Sequence, residues 1–164
     1  MNKPFVQVFA GLPCSGKTTI RKREMLLDNI TYVAAVDLFF DSKVRRSGLS
    51  LSEVRTQHAP EAHTRVRQRA AAALSKGVNL VWEENFVTPK NRLAILNAVP
   101  VGYRKIMHWC DVDAETHKIW MENSGVRMGE NDLLEMKASL ERPYTDDGWD
   151  EVHYYLNGVL KTKV

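Results

Sequence analysis

The chain has 164 residues, 44% of them hydrophobic and 26% charged, with a formal net charge of +3. These proportions are those of an ordinary globular protein, and the length suits one domain with a core of its own. No apolar run approaches the ~20 residues that a membrane-spanning helix needs, and the N-terminus lacks the charged-then-apolar layout of a secretion signal.

In chain order, an apolar run over 5–10 (Phe5, Val6, Val8, Phe9, Ala10) predicts a first strand. It leads into Gly11-Leu12-Pro13-Cys14-Ser15-Gly16-Lys17-Thr18, a complete G-x-x-x-x-G-K-[ST] phosphate loop, and a helix-compatible stretch follows to Leu27. Gly11 and Gly16 let the backbone curl with its N–H groups inward, and the positive end of the next helix adds to a cradle for phosphate oxygens. The loop through Thr19 therefore predicts nucleotide binding, with Lys17 on the β- and γ-phosphates and the Thr18 hydroxyl on Mg²⁺.

Further short apolar strands are expected near 32–36, 79–82, 103–109 and 151–156. The longest helix is expected to open with Pro60 at its first position and to stop at Gly77. Thr88 followed by Pro89 should cap the next helix, and Asp113 and Asn131 two more, the last ending before Pro143. At the C-terminus, Asn157-Gly158 between two apolar runs signals a type I′ hairpin that adds an antiparallel edge strand. Alternation of strand and helix predicts a three-layer α/β fold, its mostly parallel five-stranded sheet extended by that hairpin. Two cysteines, Cys14 and Cys110, do not make a disulfide framework, which predicts a reducing compartment, the cytoplasm.

In such sheets ligands bind at the carboxyl ends of the strands. The second strand ends at Val36-Asp37, where an acid would face the γ-phosphate and could take the proton of an incoming hydroxyl; Asp41 competes for that role. The third strand runs into Glu83-Glu84-Asn85. A carboxylate there suits the Mg²⁺ shell, and only one of the two glutamates can face the site because successive side chains point opposite ways.

These residues carry a resemblance. Gly11–Thr18, Asp37, the segment Leu80-Val-Trp-Glu-Glu-Asn-Phe-Val-Thr-Pro-Lys-Asn-Arg92 and Asn123-Ser-Gly-Val-Arg127 together resemble the P-loop kinases that include phage polynucleotide kinases and the zeta-toxin-like small kinases. The resemblance spans roughly residues 5–155 and implies a single P-loop kinase domain over 1–164, with a small helical lid at about 114–142. It implies that Asp37 is the general base, that Arg127 neutralises the transferring phosphoryl group and touches the nucleotide, and that Arg92 contacts substrate. With Pro89 as anchor it selects Glu84 for the metal and substrate side, and it implies adenine contacts from main-chain groups around Arg142-Pro143-Tyr144. The chain departs from the family pattern at Phe40, where an arginine is expected, at Glu122, and at Asn85-Phe86.

The substrate side is basic. Arg65, Arg67 and Arg69 lie on the helix after Pro60, with His58 and His63 nearby and Arg45 and Arg46 upstream, a surface suited to a nucleic-acid backbone. Phe39, Phe40 and Phe86 could stack on a base. The function expected is therefore an ATP- and Mg²⁺-dependent kinase acting on a hydroxyl of nucleic acid, chiefly DNA: a 5′ end, or a hydroxymethylated base such as 5-hydroxymethyluracil in phage-type DNA. The alternatives are a kinase for a nucleoside, sugar or antibiotic, a nucleotide-gated binding module without catalysis, and a zeta-type toxin with an antitoxin partner. A phage origin would place the chain in host cytoplasm.

Overall fold

The computed structural model describes residues 3–25, 30–34, 51–125 and 128–164. Along the chain these form β1 (Phe5–Ala10), α1 (Lys17–Glu24), β2 (Ile30–Ala34), α2 (Leu51–Ser75), β3 (Asn79–Glu83), α3 (Pro89–Ala98), β4 (Arg104–Asp111), α4 (Ala114–Ser124), α5 (Glu130–Ala138), a 3₁₀ turn at Thr145–Asp147, β5 (Glu151–Leu156) and β6 (Val159–Lys163). The sheet has six strands in the order β2-β3-β1-β4-β5-β6. Every neighbouring pair is parallel except β5 with β6. β1 thus lies inside the sheet, and the loop that leaves it has strands on both sides. This is the three-layer arrangement expected, with the hairpin supplying the sixth strand.

Alternating side chains divide the core. Val6, Val8, Leu80, Trp82, Met107 and Trp109 point to the face covered by Ala62, Val66, Ala70 and Leu74 of α2 and Ile95 of α3. Phe9, Val81, Cys110 and Tyr155 point to the other face, against Ile20 of α1. The period of two puts one buried set on each side, as a sheet sandwiched by helices requires.

Several boundaries move from their sequence-based positions. Among the described residues β2 covers Ile30–Ala34, paired with β3 from Ile30 opposite Asn79 to Ala34 opposite Glu83, so it takes in two residues before the expected start, while positions 35 and 36 of the expected strand lie outside the described residues. α2 begins at Leu51, so Pro60 lies inside the helix instead of opening it. Proline suits a first helical position, but it is tolerated further in at the loss of one hydrogen bond, and no local signal separates the two. The N-cap of α5 is Gly129, not Asn131. The other capping expectations hold. Thr88 accepts a hydrogen bond from the Asn91 N–H with Pro89 at the start of α3, and Asp113 accepts from the Thr116 N–H. Asn157 (φ 50°) and Gly158 (φ 79°) turn the β5–β6 hairpin in the left-handed region. No helix among the described residues is long and apolar enough to cross a membrane.

Candidate active site

The phosphate loop, residues 11–16, is clamped from beneath and from the side. Gly11 has φ +145°, and a Cβ there would lie 2.2 Å from the Cys110 carbonyl oxygen and 2.7 Å from Ser15 Oγ. Its N–H donates to the Asn85 carbonyl at 2.8 Å, which ties the end of β1 to the loop after β3. Gly16, at φ +87°, leads into α1, and a Cβ there would meet the Trp120 ring at 3.2 Å. α4 supplies three contacts to the loop. His117, buried, has Nε2 2.7 Å from the Pro13 carbonyl; Trp120 packs over Gly16; and the Cys14 thiol donates to Ser124 Oγ at 3.3 Å. Cys14 itself adopts φ 57°, an unusual conformation for a residue with a side chain.

Lys17 is the first residue of α1. Its ammonium donates to the carbonyls of Gly11 (3.1 Å) and Leu12 (2.6 Å). Burial pushes its pKa below the ordinary lysine range, and the nearby Glu83 carboxylate opposes that shift. No side chain caps α1, so the N–H groups of its first turn meet the cleft directly. A loop that only glycine can form, an uncapped helix start and a lysine at its tip fit a triphosphate group.

The carboxylate beside this loop is Glu83. It is 4% exposed at the end of β3. Thr18 Oγ1 donates to its Oε1, while Oε2 accepts from Arg21 Nε at 2.8 Å and from Tyr32 Oη at 3.2 Å. The Arg21 guanidinium lies over the Tyr32 ring at 4.0 Å. Because Thr18 uses its proton on Glu83, the hydroxyl lone pairs are left for a cation. Among the described residues no cluster of three His, Cys, Asp or Glu could cage a metal.

Glu84, selected by the resemblance for the metal and substrate side, lies in the same cleft but turns away from Thr18. Its Oε1 accepts from Trp82 Nε1 at 3.2 Å, and its Oε2 lies 3.5 Å from His63 Nδ1. The hydrogen bond with Glu84 raises the His63 pKa above the ordinary histidine value, more than burial and Arg67 lower it. Strand alternation sends adjacent glutamates to opposite sides, and the pairing of β3 with β1 sends Glu83 under the loop.

Arg92, expected on the substrate, does not face the cleft. It is 1% exposed, its Nη1 donates to the Phe86 carbonyl at 3.1 Å, and its guanidinium lies 5.5 Å from the Trp109 ring centroid. It borders a separate small hollow with Leu93, Leu96 and Asp147, because the turn of α3 that carries it packs inward. The Arg142–Tyr144 segment is likewise engaged elsewhere: the Pro143 carbonyl accepts from Tyr154 Oη at 2.6 Å, and Arg142 covers the Tyr154 ring at 3.7 Å. The expected base Asp37, the competing Asp41, Arg127, and the flanking Phe39, Phe40, Arg45 and Arg46 lie outside the described residues.

The phosphate loop, Glu83 and Glu84 open into one cleft of about 1360 Å³. Its lining takes in Pro13, Cys14 and Gly16 through Thr19, together with Arg23, Trp120 and the Asn157–Val159 turn, and His63, Arg67, Glu84, Phe86 and Lys90. Reasoning from sequence missed Glu83 as the partner of Thr18, along with Arg21, Tyr32, His117 and Trp120. One signal was there: Arg21 stands three residues after Thr18 on one face of α1, aimed at the same acid.

Comparison with known proteins supports the fold. The family described as an AAA domain matches residues 6–143. No curated protein matches the sequence. Among solved structures, a chain from the PezAT chromosomal toxin–antitoxin system of Streptococcus pneumoniae superposes with a TM-score of 0.72 at 15% identity, covering 99% of this chain and 72% of that one. A sugar kinase from Janibacter sp. HTCC2649 gives 0.62 at 20% identity, over 94% and 86%. A chain of the Pnkp1/Rnl/Hen1 RNA repair complex gives 0.59 at 14% identity, over 86% and 47%. At such identities the likeness is one of fold, and the fold is that of the P-loop kinases.

Proposed function

The chain belongs to the AAA domain family, and from that premise we propose that it is an ATP-dependent kinase that carries the γ-phosphate to a hydroxyl group of nucleic acid. The acceptor is a 5′ end or a hydroxymethylated base of the 5-hydroxymethyluracil type. The observation that carries this reading is the shape of the cleft. Ligand pockets for one small molecule span about 300–1,000 Å³, and a cleft of about 1360 Å³ running past the phosphate loop leaves room for an acceptor. Its lining includes Arg67, Lys90 and Phe86, which suit a nucleotide better than a neutral sugar.

In this reading the loop N–H groups and Lys17 hold the triphosphate in line with the acceptor, which is most of what phosphoryl transfer asks of a protein. The Thr18 hydroxyl, with Glu83 behind it, would hold Mg²⁺, which would supply charge neutralisation at the phosphate oxygens. Asp37 takes the acceptor proton and Arg127 neutralises charge on the transferring group. α4 and α5 act as the lid that carries Arg127 and keeps water out. His117 and Trp120 position the phosphate loop beneath that lid.

The test is a panel of acceptors with γ-labelled ATP and Mg²⁺: 5′-hydroxyl oligonucleotides, hydroxymethylated duplex DNA, free nucleosides, sugars and aminoglycosides. Label on a nucleic-acid acceptor, with binding that weakens steeply as salt rises, supports the proposal. Label on a sugar or antibiotic alone would replace it with a small-molecule kinase. ATP binding without transfer to any hydroxyl would reduce it to a nucleotide-gated module.

A further inference from the structure

Arg92 is the largest of the fully buried side chains among the described residues, at 1% exposure. Its guanidinium is only partly engaged. Nη1 donates to the Phe86 carbonyl at 3.1 Å, and Cζ lies 5.5 Å from the Trp109 ring centroid. Nε and Nη2 have no acceptor among the described residues, and both atoms are buried. An unmet donor away from water is costly, and an unpaired charge more so, where a leucine would pack without that penalty. Burial works against the Arg92 charge, and Asp147 and Glu141 offset that effect. Among the described residues, however, neither acid forms an ion pair with it. Asp147 Oδ2 instead accepts from the Tyr144 N–H at 2.9 Å.

The two unmet donors belong to one edge. In a planar guanidinium Nε–H and one Nη2–H point the same way, and together they match two oxygens of a carboxylate or phosphate with parallel bonds. Arg92 also lines a hollow of about 210 Å³ with Pro89, Lys90, Leu93, Leu96 and Asp147. Lys90 alone among these residues also lines the large cleft. The hollow is smaller than pockets for drug-sized ligands, so it suits a molecule of few heavy atoms. Pro89, Leu93 and Leu96 give it an apolar wall, and the Asp147 carboxylate disfavours a multiply charged phosphate more than a singly charged acid.

We propose that the Nε/Nη2 edge of Arg92 and this hollow form a binding site for the carboxylate of a short aliphatic acid, whose tail lies against Pro89, Leu93 and Leu96. Its ligand is bound apart from the phosphate loop, and the site does not rest on the kinase reading.

The probes are butanoate, butan-1-ol and inorganic phosphate, titrated at constant ionic strength into the full chain labelled with nitrogen-15. One readout is the Arg92 Nε–H resonance, and the other is the melting temperature, which a ligand of the folded state raises. Butanoate should move the resonance downfield along a saturable curve in the millimolar range and raise the melting temperature; butan-1-ol should do neither. Asp147→Asn keeps an oxygen for the Tyr144 N–H and removes the opposing charge, so it should tighten butanoate at least about 3-fold. Leu93→Ser, at a position 53% exposed, should weaken it by a similar factor. Arg92→Lys keeps a charge without the paired edge and should abolish the response; the two exposed variants carry the test where that buried one does not fold. A wild-type resonance and melting temperature indifferent to butanoate overturn the site. A response to phosphate as large as that to butanoate also overturns it, as an adventitious ion only. Butanoate affinity identical in D147N, L93S and wild type places binding elsewhere and overturns it too. A resonance that shifts only when Asp147 is replaced assigns the edge to Asp147 in place of a ligand.

Discussion

Replacing Glu83 by glutamine separates the structural from the chemical work of this residue. The carboxylate accepts from Arg21 Nε at 2.8 Å, from Tyr32 Oη at 3.2 Å and from the Thr18 hydroxyl. In Glu83→Gln the amide oxygen can keep the bonds from Arg21 and Tyr32, and the amide NH₂ faces Thr18, whose hydroxyl turns to accept. No bond is lost in number, but all become neutral on this side. Hydrogen bonds to charged groups contribute about 1.5–3 kcal/mol, and neutral ones about 0.5–1.5 kcal/mol. With Arg21 only 17% exposed and Glu83 4% exposed, the difference is not screened away, so the expected destabilisation is about 1–3 kcal/mol by denaturant titration. The chemical effect is larger in kind. A Thr18 hydroxyl that accepts from the introduced amide aims its own proton at the cleft, where Mg²⁺ needs a lone pair. The apparent KM for Mg²⁺ should rise at least 10-fold and kcat should fall roughly 10²–10³-fold, while ADP binding without metal changes little. Glu84→Gln should lower transfer by less than about 10-fold, since Glu84 meets His63 and Trp82 instead of Thr18. A Glu83→Gln protein with wild-type kcat and Mg²⁺ requirement, beside a dead Glu84→Gln, would refute the reasoning.

Gly11→Ala places a Cβ 2.2 Å from the Cys110 carbonyl at φ +145°; destabilisation of roughly 2–4 kcal/mol and loss of ATP binding are expected, measurable by thermal melting with and without nucleotide. His117→Ala removes the contact at 2.7 Å to the Pro13 carbonyl; the KM for ATP should rise about 5–10-fold with a smaller change in kcat, by steady-state kinetics. Acid should unfold the protein through His108. Burial pushes its pKa down to about 3, and it is stacked on Phe9 at 4.1 Å and bonded to Gln7 and Tyr155. The folded state therefore binds fewer protons than the unfolded chain below pH 6.5. Stability is complete above that value and falls as pH drops toward 3, with about 2–3 kcal/mol gone by about pH 4.5. Unfolding free energies measured across that range should show the slope, and His108→Gln should flatten it.

How far the sequence could be read depended on how local each cause was. The phosphate loop, the Thr88-Pro89 and Asp113 caps and the Asn157-Gly158 turn were legible because each rests on residues within a few positions of one another: a glycine where φ is positive, a side chain reaching an N–H three residues on. The alternation of strand and helix was legible for the same reason, and it implied the layered fold. Pro60 marks the limit of such reading, since a proline inside a helix and a proline opening one look alike from nearby residues. The site needed contacts distant in sequence. Which of Glu83 and Glu84 meets Thr18 was decided by the parallel pairing of β3 with β1, which sets the side to which each successive residue points. Arg92 was legible as a cation near the site, yet only the packing of α3 onto the sheet shows that it turns toward Trp109. From residues alone one could infer that a triphosphate would be held and where; tertiary structure decided which acid meets Thr18 and which cation pairs with it, because charge is matched across elements that meet only when the sheet is assembled.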